Sequence, residues 1–186
     1  MTKKIMFSDK YGLTQAVLEG RKTQTRRIIP KDFFSLTWDK RDDTLVYENS
    51  MGDFIDIRNS KYALCKAGEI VAVAQSYNSF YNDECNPNLF PNGAGWTNKM
   101  YVKPELMPHR VRITAVRVER LRDISDVDCM AEGINYYEQE GFSWCSTGKL
   151  FDTPREAYAA LIDKVSGKGT WERNPYVFVY DFELVK

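Results

Sequence analysis

Tyr176-Val177-Phe178-Val179-Tyr180-Asp181-Phe182-Glu183-Leu184 is the stretch whose reading decides the fold. Its strict alternation puts Tyr176, Phe178, Tyr180 and Phe182 on one face, and period two is the signature of a pleated strand. Four rings on one face demand burial, so this strand is expected to close the core. Upstream, Thr153-Pro154-Arg155-Glu156 sets a capping threonine, a proline at the first helical position and a glutamate at the third. That is a helix start, and the helix is expected to bury Ala157, Tyr158, Leu161, Ile162 and Val165 before Gly167. Ser125-Asp126-Val127-Asp128 caps a shorter helix that ends at Gly133. Arg110 to Leu121 reads as a long strand whose apolar phase slips between Ala115 and Val116, as a β-bulge makes it slip. Ile70-Val71-Ala72-Val73-Ala74 is an apolar strand entered from the turn Lys66-Ala67-Gly68-Glu69.

Nearer the start, Leu13, Ala16 and Val17 share a helical face between Ser8 and Glu19, and Gly20 follows where a left-handed cap is cheapest. Arg21-Lys22-Thr23-Gln24-Thr25-Arg26-Arg27-Ile28-Ile29-Pro30 then turns β-branched and stops at proline, placing Thr25 on or at the mouth of a strand. Two stretches look inserted. Residues 31–62, with turn signals at Asp42-Asp43 and Ser50-Met51-Gly52-Asp53, predict a hairpin. Residues 78–108 are rich in Asn, Gly and Pro with Phe80, Tyr81, Phe90, Trp96 and Tyr101 among them, and predict an ordered loop or lid, since aromatics at that density seek burial. The expected fold is α+β over 1–186 as a single domain: a small mixed β-barrel with short flanking helices and inserted loops.

With 186 residues, 43% hydrophobic and 13% aromatic, the chain has ample material for its own core and lies far from the disordered regime. It contains no apolar run near the ~18 to 20 residues that cross a bilayer, and Met1 to Asp9 has no apolar signal core. A soluble cytoplasmic protein with no membrane partner is expected. Cys65, Cys85, Cys129 and Cys145 stand too far apart for a zinc ribbon or a CxxC redox pair, so they are read as reduced thiols and no metal or cofactor is expected. His109, the one imidazole, is read as a strand-entry residue after Pro108, and its solitude weakens any His-based triad.

The zero net charge hides segregation. Residues 1–41 hold ten Lys/Arg against four Asp/Glu and 42–98 hold three against eight. Residues 99–122 then hold seven against two, and 123–186 six against twelve. The two basic blocks either converge on one positive face, the footprint of a nucleotide or RNA ligand, or pair with the acidic blocks.

Three stretches resemble the ASCH family. They are Val17-Leu18-Glu19-Gly20-Arg21-Lys22-Thr23-Gln24-Thr25-Arg26-Arg27, then Val118-Glu119-Arg120-Leu121-Arg122-Asp123-Ile124-Ser125 with Ala131-Glu132-Gly133-Ile134, and finally Gly169-Thr170-Trp171-Glu172-Arg173-Asn174-Pro175-Tyr176-Val177-Phe178-Val179. The match runs in order along nearly the whole chain and is closest to the longer members found in bacterial genomes and their phages or prophages. One departure is local: Ala74-Gln75-Ser76-Tyr77 stands where longer relatives often carry an Arg-Glu-Thr-Trp-like segment. The resemblance implies a PUA-like barrel.

A compact member of that family removes the acetyl group from N4-acetylcytidine, and by the same resemblance Thr25 would be the nucleophile, Lys22 its general base and Glu132 the residue that orients or shares the proton. The chemistry is coherent, because amide cleavage needs an activated hydroxyl, a proton acceptor and positive charge for the oxyanion, which Arg27 can supply. A lysine with the ordinary value of about 10.4 is neutral only to roughly 0.04% at pH 7, so the base role requires a lowered pKa. If Glu132 touches Lys22 directly, a charged lysine is expected to serve the oxyanion while Glu132 takes the proton.

Two other readings are open. An RNA- or modified-nucleoside-binding module would use a basic cleft in which Arg21, Arg26, Arg27, Arg110 and Arg112 hold phosphate and Tyr77 or Trp96 stacks on a base. A phage- or prophage-derived accessory protein would have no catalysis. PUA-like folds host both binding and catalysis, so fold alone does not choose.

Overall fold

The computed structural model describes residues 2–41, 44–80, 93–137, 140–144 and 149–185. Along the chain these form β1 (Lys4–Ile5), a 3-10 turn at Asp9–Tyr11, α1 (Leu13–Leu18), β2 (Gln24–Ile28), β3 (Trp38–Arg41), β4 (Thr44–Glu48), β5 (Phe54–Asp56) and β6 (Ile70–Val73). Then come β7 (Arg110–Arg120), α2 (Asp126–Ala131), β8 (Asn135–Tyr137), β9 (Gly141–Ser143), α3 (Pro154–Ser166), α4 (Thr170–Arg173) and β10 (Tyr176–Val185). The class is α+β, dominated by sheet. The Asp42-Asp43 turn, Cys85, Cys145, and Tyr81 and Phe90 of the aromatic-rich stretch lie outside the described residues.

A five-stranded sheet in the order β1-β6-β7-β10-β2 carries the fold, with β1 parallel to β6 and every other pair antiparallel. It is open. The barrel closure expected from the sequence would need the two edges to pair, and β1 has only two residues to offer before the chain turns into Asp9–Tyr11 and α1. Closure is replaced by a side-chain bridge, because Arg27 of β2 donates through Nη2 to the carbonyl of Met6, just past β1.

The aromatic strand sits between β7 and β2, and being central it is covered on both faces. Phe178, Tyr180 and Phe182 are buried as the alternation requires, but Val177 and Val179 on the opposite face are equally buried. Tyr180 keeps its hydroxyl satisfied by accepting the backbone N–H of Leu64 at 2.8 Å. The bulge in β7 is real but falls at Thr114, since Asp181 pairs with Ala115 and the next residue, Phe182, pairs with Ile113. The apolar phase locates it one residue late.

The stretch after β2 makes a three-stranded sheet, β3-β4-β5, so the predicted hairpin gains a strand. Phe33, fully buried, meets Phe34, Tyr47 and Tyr62 edge-on and joins this sheet to the main core. Residues 93–108 pack on the far side, where Val102, Met107 and Trp96 gather around Ala72, Ala74 and Tyr77. The segment is anchored by Lys4, whose ammonium donates to the carbonyls of Lys99, Met100 and Val102. Among the described residues no helix is long and apolar enough to cross a membrane.

Candidate active site

The gap between the sheet edges is the site. A half-open cavity of about 140 Å³ is walled by Met6, Phe7 and Ser8 beyond β1, by Thr25, Arg26, Arg27 and Ile28 of β2, and by Tyr158, Leu161, Ile162 and Val165 of α3. Lys22 and Glu132 complete it. The volume is well above the ~10–15 Å³ that one water needs, so a small organic group can enter.

Local chain geometry brings these residues together. After α1 the backbone N–H groups of Arg21 and Lys22 both return to the carbonyl of Ala16, and the N–H of Thr23 reaches the carbonyl of Ala131 at the end of α2. That last bond aligns Lys22 with Glu132 across 110 residues of chain. Gly133 follows with φ +101°, a turn that an L side chain rarely adopts, which lets the chain leave α2 at this point.

Lys22 is 2% exposed and Glu132 4%. The lysine Nζ donates to Oε2 of Glu132 at 2.5 Å and to the Glu132 carbonyl at 2.8 Å, which places the cation at the negative end of α2. Of its three N–H groups two are thus committed and one is left to serve the cavity. Burial lowers the Lys22 pKa from its usual 10.5, the Glu132 carboxylate opposes this, and the neighbouring Arg27 and Arg26 charges reinforce it. The other Glu132 oxygen accepts from Arg26 Nη1 at 3.3 Å. Thr25 is buried, lines the cavity and has no side-chain hydrogen bond among the described residues, so its hydroxyl remains available.

Behind the cavity, Arg26 is locked by Glu119 at 2.7 Å and Asp128 at 3.0 Å, and also donates to Gln24. Burial works against the Arg26 charge, but the acidic groups around it, Glu132 foremost, more than restore it and raise its pKa. Arg117 joins the same network through Asp181 at 2.6 Å and Asp128 at 3.0 Å. For Asp128 burial pushes the pKa up, yet the Gln24 hydrogen bond and the Arg26 and Arg117 charges outweigh it and hold the carboxyl below 3.8. A depressed carboxyl stabilises the fold above its unfolded value of 3.8, and that contribution is lost as pH falls through the folded value. Asp128→Asn should therefore lower stability at pH 7 by on the order of 1 kcal/mol. Below pH 3.8 the variant and the parent should converge. Denaturant titration at pH 7 and near pH 3 checks this, and an equal gap at both pH values would refute it.

The residues expected to form the site separate into two groups. Lys22, Thr25, Arg26, Arg27 and Glu132 line one cavity, whereas Arg21, Arg110, Arg112, Tyr77 and Trp96 do not. Arg21 is at the surface, paired with Glu19 at 2.6 Å. Arg112 pairs with Glu183 at 3.3 Å, and Arg110 borders a separate surface pocket with Lys3 and Glu69. Across the β7–β10 ladder Arg112 and Arg117 of a basic block thus face Glu183 and Asp181 of an acidic one. Tyr77 and Trp96 belong to the far apolar cluster because Gly95 packs on the Tyr77 ring, and no described residue of 78–108 lines the cavity; residues 81–92 of the expected lid lie outside the described residues. Lys99 nevertheless reaches the site indirectly, holding the carbonyl of Phe7 at 2.5 Å and Asp9 at 2.7 Å.

Cys65 and Cys129 are free and buried, and burial pushes their thiols up to about 11 and about 12, which keeps them protonated and unreactive. His109 is half-buried, its Nδ1 2.7 Å from Gln75 Oε1. What the sequence did not disclose is the wall from α3. Tyr158 sits in the apolar stripe of an amphipathic helix and carries no local signal except a phenol that, if buried, needs a partner.

No family model, curated protein or solved structure matches this chain.

Proposed function

We propose that the protein is a hydrolase of small amides, of the N4-acylated cytosine type, with Thr25 as nucleophile and Lys22 and Glu132 moving its proton. The observation that carries this reading is the convergence of an unengaged Thr25 hydroxyl and a buried Lys22–Glu132 pair on one small cavity. Buried ion pairs shielded from water are costly to keep for stability alone, and a perturbed lysine in a cleft is a mark of function. The ASCH resemblance adds the same three residues independently of the geometry.

In this reading Thr25 Oγ attacks the amide carbonyl and passes its proton to Glu132. The oxyanion is met by the uncommitted Lys22 N–H and by Arg27, whose guanidinium has no carboxylate partner among the described residues. Lys22, its pKa lowered by burial, gives a proton to the leaving nitrogen and recovers one from Glu132. The C–N bond breaks, the amine leaves and an acyl ester stays on Thr25. Water then attacks the ester, releasing the carboxylic acid and restoring the hydroxyl.

A binding module for phosphate backbone fits less well, because Arg112 and Arg117 already face carboxylates at 3.3 and 2.6 Å and a ligand would have to displace them. The PUA-like reading of the fold remains part of this proposal and rests on the resemblance. The assay is release of free acetate from N4-acetylcytosine and N4-acetylcytidine, with intact-mass detection of acyl-enzyme in the quenched reaction. Turnover with an acyl adduct on the peptide carrying Thr25 is the expected result. Binding of either compound without acid release would leave a nucleoside-binding protein and remove the hydrolase.

A further inference from the structure

One wall residue of the cavity has no part in the proton path. Tyr158 is 2% exposed, lines the cavity from α3, and its hydroxyl has no hydrogen-bond partner among the described residues. Leaving a buried hydroxyl unpaired costs roughly 1–3 kcal/mol, which a helix facing the core has no reason to bear when phenylalanine would pack as well. The ring itself is held firmly, edge-on to Trp171 at 6.2 Å between centroids. The next turns of α3 present Leu161, Ile162 and Val165 to the same space before Ser166 at the helix end, so a group lying in the cavity meets a mainly apolar surface with a polar point at Tyr158.

Arg27 is the matching case on the opposite wall. Its Nε is likewise buried without a partner, while its Nη2 is tied to the Met6 carbonyl and its guanidinium lies 5.7 Å from the Phe7 ring. Two residues on two walls of one cavity thus each keep a buried donor with no partner among the described residues. The fixed arginine answers the carbonyl that is attacked, which leaves the phenol for a second acceptor on the ligand.

We infer that Tyr158 is a specificity-determining residue whose hydroxyl donates to a second carbonyl on the substrate, the 2-oxo group of an N-acylated pyrimidinone. The inference rests on the hydrolase reading for the placement of the scissile amide. Burial pushes the phenol well above its usual 10, so it stays a donor throughout the working range. A site built around such a donor discriminates strongly against an analogue without the acceptor, because the donor is then left unpaired in the complex.

The test compares wild type and Tyr158→Phe on N4-acetylcytosine and on 4-acetamidopyrimidine, which keeps the amide but lacks the 2-oxo group. Wild type should prefer the oxo compound in kcat/KM by about 10- to 100-fold, and Tyr158→Phe should erase most of that preference by losing activity on the oxo compound alone. Thermal denaturation supplies the structural control: Tyr158→Phe should melt at or above wild type, since it removes an unpaired group. Equal losses on both compounds, no loss on either, or a lowered melting temperature would overturn the assignment. If wild type hydrolyses neither compound, the hydrolase reading falls, and calorimetric titration of the same four pairs decides the inference separately. The same preference in Kd, lost in Tyr158→Phe, would uphold it, and absence of any preference or of binding would end it.

Discussion

Glu132→Leu is expected to destabilise the protein by about 3–5 kcal/mol, the range found when one partner of a buried ion pair is removed and the other stays. The reason lies in what remains: Lys22 Nζ would lose its 2.5 Å carboxylate acceptor and keep only the backbone carbonyl at 2.8 Å, and Arg26 Nη1 would lose its 3.3 Å one. Arg26 retains Glu119 and Asp128, so the larger share of the loss falls on Lys22. The double variant Lys22→Met/Glu132→Leu separates the charge from the packing. Replacing both partners by apolar groups of similar size removes the stranded cation, so the double variant should recover most of the lost stability. Neither variant should turn over substrate. Urea unfolding measures all four corners of the cycle, and a Glu132→Leu protein as stable as wild type would show that the pair is not buried as described.

Thr25→Val should abolish hydrolysis, by on the order of 10³-fold or more in kcat, while leaving stability within about 1 kcal/mol. Valine keeps the β-branched shape that β2 favours, and the hydroxyl it lacks has no protein hydrogen bond to lose among the described residues. Stability and chemistry are therefore separable at this position in a way they are not at Glu132. Thr25→Ser restores an oxygen in nearly the same place and should retain measurable turnover. Binding of N4-acetylcytosine to Thr25→Val should survive, because the variant removes a reacting atom and not the walls. Equal kcat in Thr25→Val and wild type would eliminate Thr25 as the nucleophile and require another group to carry the reaction.

Both variants act on residues that the ASCH resemblance singled out, and what local sequence adds is the setting of Lys22. A helix that stops at Leu18, two residues before Gly20, and a strand that starts at Gln24 leave Lys22 in a tight connection, and such placement depends on neighbours along the chain. The Ser125 cap, the Thr153–Glu156 capping box and the long strands β7 and β10 are local in the same sense and all form. Arg110, Arg112, Tyr77 and Trp96 were misplaced because their type, basic or aromatic, says what they can bind but not which face they occupy. That face is set by strand register and by the close packing of Gly95 on Tyr77.

The sequence by itself determined the main elements and the alternation that buries the β10 aromatics, since propensity, capping and periodicity act over a few residues, whereas the candidacy of Lys22, Thr25 and Glu132 came from the ASCH resemblance. Tertiary structure alone decided three further matters. The sheet stays open because β1 is too short to pair with β2, and that gap is the cavity. Lys22 meets Glu132 at 2.5 Å because the Thr23 N–H bonds to the Ala131 carbonyl and docks the α1–β2 connection on the end of α2. Tyr158 joins the site because α3 lies across the gap, and contacts between residues more than a hundred positions apart are settled by packing, which no local pattern encodes.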